Sequence, residues 1–129
     1  MKIHNVHERS LASDPEAVAA LFEDMEQLWP TPEFPAPKPE GDVLRMGAML
    51  WQPVERVGAV RAWNLVGPKH LSGAHWFELD EGPNGGATLR HIVDGEAVGD
   101  FESVWRDRIE PVHNAYIEAV LDRAEEALA

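Results

Sequence analysis

The chain has 129 residues, of which 44% are hydrophobic and 26% charged, and its 23 acidic and 11 basic residues give a net charge of −12. This length predicts one domain, residues 1–129, that buries enough surface to fold without cross-links. The composition excludes a disordered chain, the absence of cysteine excludes disulfides and thiolate chemistry, and no apolar run is long enough to span a membrane.

The excess of acidic residues also narrows the expected partners. Nucleic-acid binding needs a concentrated basic face, whereas Arg106 and Arg108 lie among Glu102, Asp107 and Glu110. We therefore expect neither nucleic acid nor membrane insertion. Because the first residues lack the apolar stretch of a secretory signal, we expect a cytoplasmic protein.

The N-terminal segment predicts a strand followed by helix. Residues 2–12 contain neither Gly nor Pro and predict a short, polar strand. A helix start follows, capped either by Asp14 with Pro15 in the first turn or by Ser13 with Glu16. The next apolar residues recur at helical spacing, which predicts one helix of about four turns or two short helices with a bend. These residues are Val18, Leu21, Phe22, Met25 and Trp29.

A proline-rich segment interrupts the helical pattern. Residues 30–39 contain five of the ten prolines, a density that neither a helix nor a central strand tolerates. We expect residues 30–41 to be irregular, with Phe34 or Trp29 near the mouth of a cavity. A lid over that cavity is one hypothesis, and an ordinary surface connection or a weak PxxP ligand are the alternatives.

The middle of the chain predicts strands separated by turns. The turn-rich residues 80–86 predict a hairpin, and the other connections are also too short for crossover helices, so the sheet is antiparallel. Pro53 predicts an edge or a bulge in the first of these strands. Trp76 is expected on the outer face or at an interface, and Arg90 on the solvent face. The predicted strands are 48–54, 59–66, 71–79 and 87–93.

The last thirty residues predict a long helix over about 100–129. Its apolar residues fall on one wide face when they are projected at the helical period. Pro111 removes one helical hydrogen bond and predicts a kink near Asp107. The apolar face comprises Phe101, Trp105, Ile109, Val112, Tyr116, Ala119 and Val120.

Strand, helical pair, antiparallel sheet and long C-terminal helix is the element order of a helix-grip fold, in the α+β class. Four runs resemble the SRPBCC superfamily of START-related and pollen-allergen-like proteins, especially bacterial polyketide cyclase/dehydrase-type members. The resemblance implies a curved sheet wrapped around the C-terminal helix, with a cavity for a hydrophobic small molecule between them. It implies no shared catalytic set. The four runs are ERSLASDPEAV (8–18), GAHWFEL (73–79), GATLRH (86–91) and PVHNA (111–115).

Two histidines share their strand alternation with apolar residues. His75 and His91 are therefore predicted on the apolar face of the sheet, whatever the register. If Leu79 pairs with Ala87, the two histidines lie directly opposite, with Cβ atoms about 5 Å apart. His113 lies at the margin of the apolar face of the C-terminal helix, so it too is a candidate to face the space between helix and sheet.

These imidazoles have several possible roles. They are core histidines bonded to each other, to Tyr116 or to water, or they orient a ligand, or His75 and His91 act as general acid and base. A metal site is least favoured because no carboxylate shares the histidine face, and no cofactor is expected. The candidate ligand-binding residues are Asn64, His75, Phe77, His91, Trp105, Ile109, Val112, His113 and Tyr116.

Three functions therefore stay open. The favoured one is binding of a small hydrophobic or aromatic ligand, lipid- or polyketide-like, whose polar end is fixed by His75, His91, Asn64 or Tyr116. The second is a polyketide cyclase, aromatase or dehydratase that uses His75 or His91 as acid or base. The third is a partner-binding protein with a filled core, and a homodimer is one further possibility.

Overall fold

A curved antiparallel sheet of seven strands forms the body of the computed structural model, which describes residues 1–29 and 34–129. The strands are Lys2–Leu11 (β1), Lys38–Glu40 (β2), Val43–Met46 (β3), Met49–Val54 (β4), Ala59–Gly67 (β5), Leu71–Glu81 (β6) and Ala87–Ala97 (β7). Their order across the sheet is β1-β7-β6-β5-β4-β3-β2. A long C-terminal helix completes the architecture, so the predicted helix-grip fold is confirmed.

The segment after β1 forms two short helical pieces with a bend. Helix α1 spans Pro15–Leu21, and Asp14 caps it because its carboxylate accepts a hydrogen bond of 2.9 Å from the backbone N–H of Ala17. A 3-10 turn at Met25–Gln27 follows, capped by the side chain of Asp24. Short acidic side chains compete with a continuing helix for backbone N–H groups. Asp24 therefore separates the two helical pieces by starting a new cap after α1.

The hairpin of β6 and β7 has a register that differs from the one considered above. Leu79 pairs with Leu89 rather than with Ala87, so the expected pairing is wrong by two positions. The strands continue until Glu81 pairs with Ala87, and the loop Gly82–Gly86 closes with a backbone hydrogen bond of 2.8 Å. The hairpin loop thus spans residues 82–86, whereas the composition predicted a turn over residues 80–86.

The far edge of the sheet holds two short strands that the sequence did not predict. Strands β2 and β3 form a narrow antiparallel extension, so the expectation that 30–41 is irregular is wrong for β2. Pro39 is accommodated there because β2 has only one neighbouring strand. Pro53 lies beyond the part of β4 that pairs with β3, so it occupies an edge position, which is one of the two predicted alternatives. The register shift opposite Leu50 and Trp51 leaves the extra residue on β5, so the bulge is not at Pro53.

The C-terminal helix consists of three contiguous segments, namely α2 (Phe101–Val104), a π-helical turn (Trp105–Ile109) and α3 (Glu110–Ala127). Pro111 lacks the N–H that would bond to the carbonyl of Asp107, so the α-helical ladder is broken there. Where a kink is predicted near Asp107, the structure has a π turn. Within the described part of the chain, no helix has both the length and the apolarity needed to cross a membrane.

Polar contacts join α3 to β1 at one edge of the sheet. Arg9 bonds Glu118 at 3.1 Å and Asp122 at 2.9 Å, while Asn5 donates to Asn114 at 2.9 Å. Exposed ion pairs of this kind contribute little stability, so burial of the apolar face of α3 holds the helix in place. The buried residues of α3 are Tyr116, Ile117, Val120, Leu121 and Ala124.

The outer face of the sheet carries a second, smaller apolar cluster of Ala62, Ala74, Trp76 and Ile92. The guanidinium of Arg56 lies 3.6 Å from the centroid of the Trp76 ring and covers it. Trp76 therefore lies on the outer face, as alternation predicted. Arg90 lies on the solvent face as well, where it bonds the carboxylates of Glu8, Glu78 and Asp80.

Candidate functional site

A cavity of about 360 Å³ lies between the sheet and the C-terminal helix. Its wall is mainly apolar, and strands β3 to β7 contribute one side while the π turn and α3 contribute the other. The wall residues are Trp29, Pro35, Met46, Gly47, Ala48, Met49, Trp51, Leu65, His75, His91, Val93, Arg108, Ile109, Val112, His113, Tyr116 and Ile117.

The exposed wall residues mark the opening of the cavity, which we call the mouth. They are Pro35, the β3–β4 turn at Gly47 and Ala48, Arg108 on the π turn, and Val112. Three segments that are remote in sequence therefore meet at this opening.

The two aromatic residues of the lid hypothesis lie beside the cavity. Trp29 is buried in its wall, and the ring of Phe34 contacts that of Tyr116 at a centroid distance of 5.2 Å. The proline-rich segment that joins them includes residues 30–33, which lie outside the described residues. The lid hypothesis therefore stays a prediction.

The buried part of the wall contains a hydrogen-bonded histidine pair. His75 faces Val93 across the hairpin and His91 faces Phe77, so the two histidines are diagonal neighbours on one face of the sheet. Nδ1 of His75 lies 3.2 Å from Nε2 of His91. The predicted common face is confirmed, and the side chains meet despite the changed register. His75 also stacks on the ring of Trp63 at 4.9 Å.

The pair leaves one nitrogen of each ring unpartnered. Nε2 of His75 and Nδ1 of His91 are buried and make no hydrogen bond within the described residues, and the same holds for Nε1 of Trp51. When both imidazoles are neutral, one N–H is used within the pair, so one free nitrogen is a donor and the other an acceptor. Exchange of the tautomers exchanges these two roles. The indole N–H of Trp51 is a donor only.

Burial keeps these imidazoles neutral. Desolvation, with a smaller contribution from the charge of His113, lowers the pKa of His75 from 6.5 to about 3. For the same reasons, with desolvation the largest, the pKa of His91 lies well below 6.5. Burial also lowers the pKa of His113 to about 4, assisted by His7. Both imidazoles of the pair are therefore uncharged at neutral pH.

A row of histidines connects the pair with the surface. The ring of His113 lies 5.3 Å from that of His91 and 6.0 Å from that of His7. His7 bonds Glu118 through Nδ1 at 2.7 Å and Asn114 through Nε2 at 2.9 Å. The β1 histidine therefore lies against α3 rather than in the cavity wall.

Tyr116 is bound to the main chain rather than to a histidine. Its hydroxyl donates to the carbonyl oxygen of Trp29 at 3.2 Å, and burial raises its pKa above the ordinary value. Neutral Tyr116 thus fixes the end of the helical pair against α3. Its hydroxyl oxygen can still accept a hydrogen bond.

Six of the nine sequence-predicted ligand-binding residues lie in the wall, namely His75, His91, Ile109, Val112, His113 and Tyr116. Phe77 and Trp105 are buried in the packed core, with Phe77 against His91 at 4.7 Å and Trp105 against His113 at 6.2 Å. Phe77 and Trp105 are therefore not part of the cavity wall, contrary to the prediction.

The prediction that Asn64 lies in the cavity is also wrong. Its neighbours Trp63 and Leu65 belong to the main core, so alternation turns Asn64 to the opposite face, where it is exposed. It lies on the face opposite the cavity and is not part of the wall.

Several of the wall residues were not identified from the sequence as ligand-binding candidates. Trp51, Leu65 and Val93 lie on strands, and their alternation could have identified them as inward-facing. Met46, Met49 and Arg108 carried no such signal, because their place in the wall depends on how the β3–β4 turn and the π turn meet. Among residues 1–29 and 34–129, no three histidine or carboxylate side chains are grouped closely enough to hold a metal ion.

The fold matches that of known proteins although the sequence does not. No protein-family model matches the chain, and no curated protein matches its sequence. A START superfamily protein from Mycobacterium smegmatis superposes with a TM-score of 0.64 at 12% identity over 99% of both chains. The Zhui aromatase/cyclase from Streptomyces sp. R1128 gives 0.61 at 15% identity over 100% of this chain and 97% of that one.

A third structure, TTHA0849 from Thermus thermophilus, gives a TM-score of 0.62 at 15% identity over 96% of this chain and 95% of that one. At such identities the likeness concerns the fold alone. The chain has an SRPBCC-type fold, so the resemblance noted in the sequence is confirmed at that level.

Proposed function

We propose that this protein binds a small hydrophobic or aromatic ligand, lipid- or polyketide-like, in the cavity between the sheet and the C-terminal helix. One observation carries the proposal. Residues that line an apolar cavity of about 360 Å³ carry buried polar atoms that lack hydrogen-bond partners in the described structure.

The size and lining of the cavity support this function. Ligand pockets usually measure roughly 300–1,000 Å³ and combine apolar walls with a few polar groups that orient the ligand. A buried donor or acceptor without a partner destabilises a fold by about 1–3 kcal/mol. A ligand that supplies the missing partners accounts for their presence. An open space of this size does not suit the alternative of a filled core.

The histidine pair is suited to one end of such a ligand. Its free nitrogens present one donor and one acceptor, and tautomer exchange lets either ring serve a carbonyl or a hydroxyl. The indole N–H of Trp51 adds a donor beside His75, whose ring centroid lies 4.4 Å from that of Trp51. A carbonyl or phenolic end is therefore the expected partner, with apolar rings along the rest of the wall.

Substitution of His75 tests this orientation. We expect His75→Leu to weaken binding of 2-acetonaphthone about fivefold, because one hydrogen bond is worth about 1 kcal/mol, while 2-ethylnaphthalene binds as before. Quenching of tryptophan fluorescence measures both affinities, since Trp29 and Trp51 lie in the wall.

Leu65→Ala is the matched control, because Leu65 contributes only apolar surface to the same wall. It should weaken both ligands to the same extent. An equal loss of both ligands in His75→Leu would show that His75 acts by packing. Failure of the unsubstituted protein to bind either naphthalene would contradict the proposed function.

Acid–base catalysis of the cyclase or dehydratase type ranks second. The hydrogen-bonded imidazoles favour it, and one structure of the same fold is named an aromatase/cyclase. A general base works best when its pKa lies near the working pH, whereas burial lowers that of His75 to about 3. His75 is therefore a weak base at neutral pH, and the binding function is preferred. Dehydration of a β-hydroxy ketone by the protein, abolished by His75→Leu, would reverse this order.

A further inference from the structure

The cavity wall has a charge character opposite to that of the whole chain. The chain carries a net charge of −12, but none of the described wall residues is acidic. Its one permanently charged group is the guanidinium of Arg108 at the mouth. The described wall thus contains one cation and no carboxylate. Such a wall is suited to a ligand that carries hydrogen-bond acceptors or a negative charge.

Arg108 differs from the other arginines in having no hydrogen-bond, ion-pair or ring partner, although its charge contributes, after the hydrogen bond from Arg106, to the lowered pKa of Asp107. All eight arginines lie in the described part of the chain, and there only Arg108 makes no hydrogen bond, ion pair or ring contact. Carboxylates bind Arg9, Arg45, Arg90 and Arg106, main-chain carbonyls bind Arg61 and Arg123, and the Trp76 ring binds Arg56. In so acidic a chain, an unpaired guanidinium at a cavity mouth is conspicuous.

The local geometry keeps Arg108 available. The neighbouring carboxylate of Asp107 is bound by Arg106, with Nε and Oδ1 3.0 Å apart and a second contact of 3.4 Å. Arg108 belongs to the π turn, whose altered helical phase directs it to the cavity wall together with Ile109 and Val112. The π turn thus places one free cation at the rim of an apolar space.

We propose that the ligand carries a carboxylate, which Arg108 binds at the mouth while the aromatic part of the ligand occupies the cavity. This inference rests on the proposed function and specifies its ligand class as an aromatic carboxylate. One guanidinium matches one carboxylate through two parallel hydrogen bonds. The described wall offers no second cation to balance a dianion such as a phosphate monoester. The unpartnered N–H of Trp51 and the histidine pair bind a second acceptor of the ligand in the buried part of the wall.

A pair of isosteric probes tests the carboxylate. At neutral pH 2-naphthoate carries the charge and 2-naphthamide has the same shape without it. We expect Arg108→Gln to raise the Kd of 2-naphthoate about fivefold and to leave that of 2-naphthamide within about twofold, as suits an ion pair at a solvent-exposed mouth. Calorimetry or tryptophan quenching measures both. Added salt should weaken 2-naphthoate binding to the unsubstituted protein more than to the variant.

Arg45→Gln is the matched control, because Arg45 is exposed on β3, is paired with Glu40, and is not in the described wall. It should leave both affinities unchanged. Equal effects of Arg108→Gln on the two probes, or no effect on either, would overturn the carboxylate proposal. Binding of 2-naphthamide without binding of 2-naphthoate would overturn it as well and leave the proposed function intact. Absence of binding by both probes would contradict the proposed function itself.

Discussion

Acidification should destabilise this protein, and His75 allows the size of the effect to be worked out. The side chain is 3% exposed, and desolvation, followed by the charge of His113, lowers its pKa to about 3. In the unfolded chain the imidazole has its ordinary pKa of 6.5. Below pH 6.5 the unfolded chain therefore binds a proton that the native protein excludes. The stability contributed by neutral His75 is present above pH 6.5 and is lost as the pH falls toward 3.

The loss at pH 5 amounts to about 2 kcal/mol from His75. This pH lies about 1.5 units below the ordinary pKa and well above the folded one, and each unit corresponds to about 1.36 kcal/mol. His91 and His113 change stability in the same direction, because burial lowers their pKa values too. Since domains are stable by only about 5–15 kcal/mol, the native state should become marginal near this pH.

Urea denaturation at pH 8 and pH 5 measures the effect. In His75→Gln, which keeps a hydrogen-bonding amide but cannot titrate, the difference in unfolding free energy between the two pH values should shrink by about 2 kcal/mol. His4→Gln is the control, since His4 is exposed on β1 and is solvated in both states. An undiminished difference in His75→Gln would refute the reasoning that burial keeps His75 neutral.

Two further predictions concern packing. Leu121→Ala should lower the free energy of unfolding by about 2–4 kcal/mol, because Leu121 is fully buried on α3. A loss below about 1 kcal/mol would show that neighbouring side chains move in and fill the space left by the leucine. Gly73→Ala should cost more than about 3 kcal/mol, because Gly73 has φ +126° and a Cβ there would overlap the carbonyl of Asp94. Gly41→Ala, where φ is +66° but space is open, should cost about 1–2 kcal/mol, and equal urea midpoints for the two glycine variants would contradict this explanation.

The sequence determined those features that depend on local pattern. Alternation along a strand has a period of two, so His75 and His91 could be placed on the inner face and Trp76 on the outer face without knowledge of the register. The helix start at residues 13–15 and the break caused by Pro111 are also local, since each follows from hydrogen bonds within a few residues, whereas the choice of Asp14 over Ser13 as the cap came from the structure. The same alternation rule, applied to Trp63 and Leu65, would have excluded Asn64 from the cavity.

Register and edge strands depended on the tertiary structure. The hairpin loop could close with either seven or five residues outside the ladder, and only the pairing of Glu81 with Ala87 decided between them. Strands β2 and β3 are too short to show a period, and their strand conformation depends on the pairing of β2 with β3 and of β3 with β4. Hydrogen bonds between neighbouring strands are therefore what distinguishes these segments from loops.

The cavity itself was decided by tertiary structure alone. Its volume is the space that remains between the sheet and the C-terminal helix after side chains such as Trp29, Trp51 and Tyr116 have packed, and hydrophobic periodicity does not encode that remainder. In the sequence Arg108 is one basic residue among acids. It becomes a candidate ligand contact because the π turn, the β3–β4 turn and Pro35, which are far apart in the chain, meet at one opening.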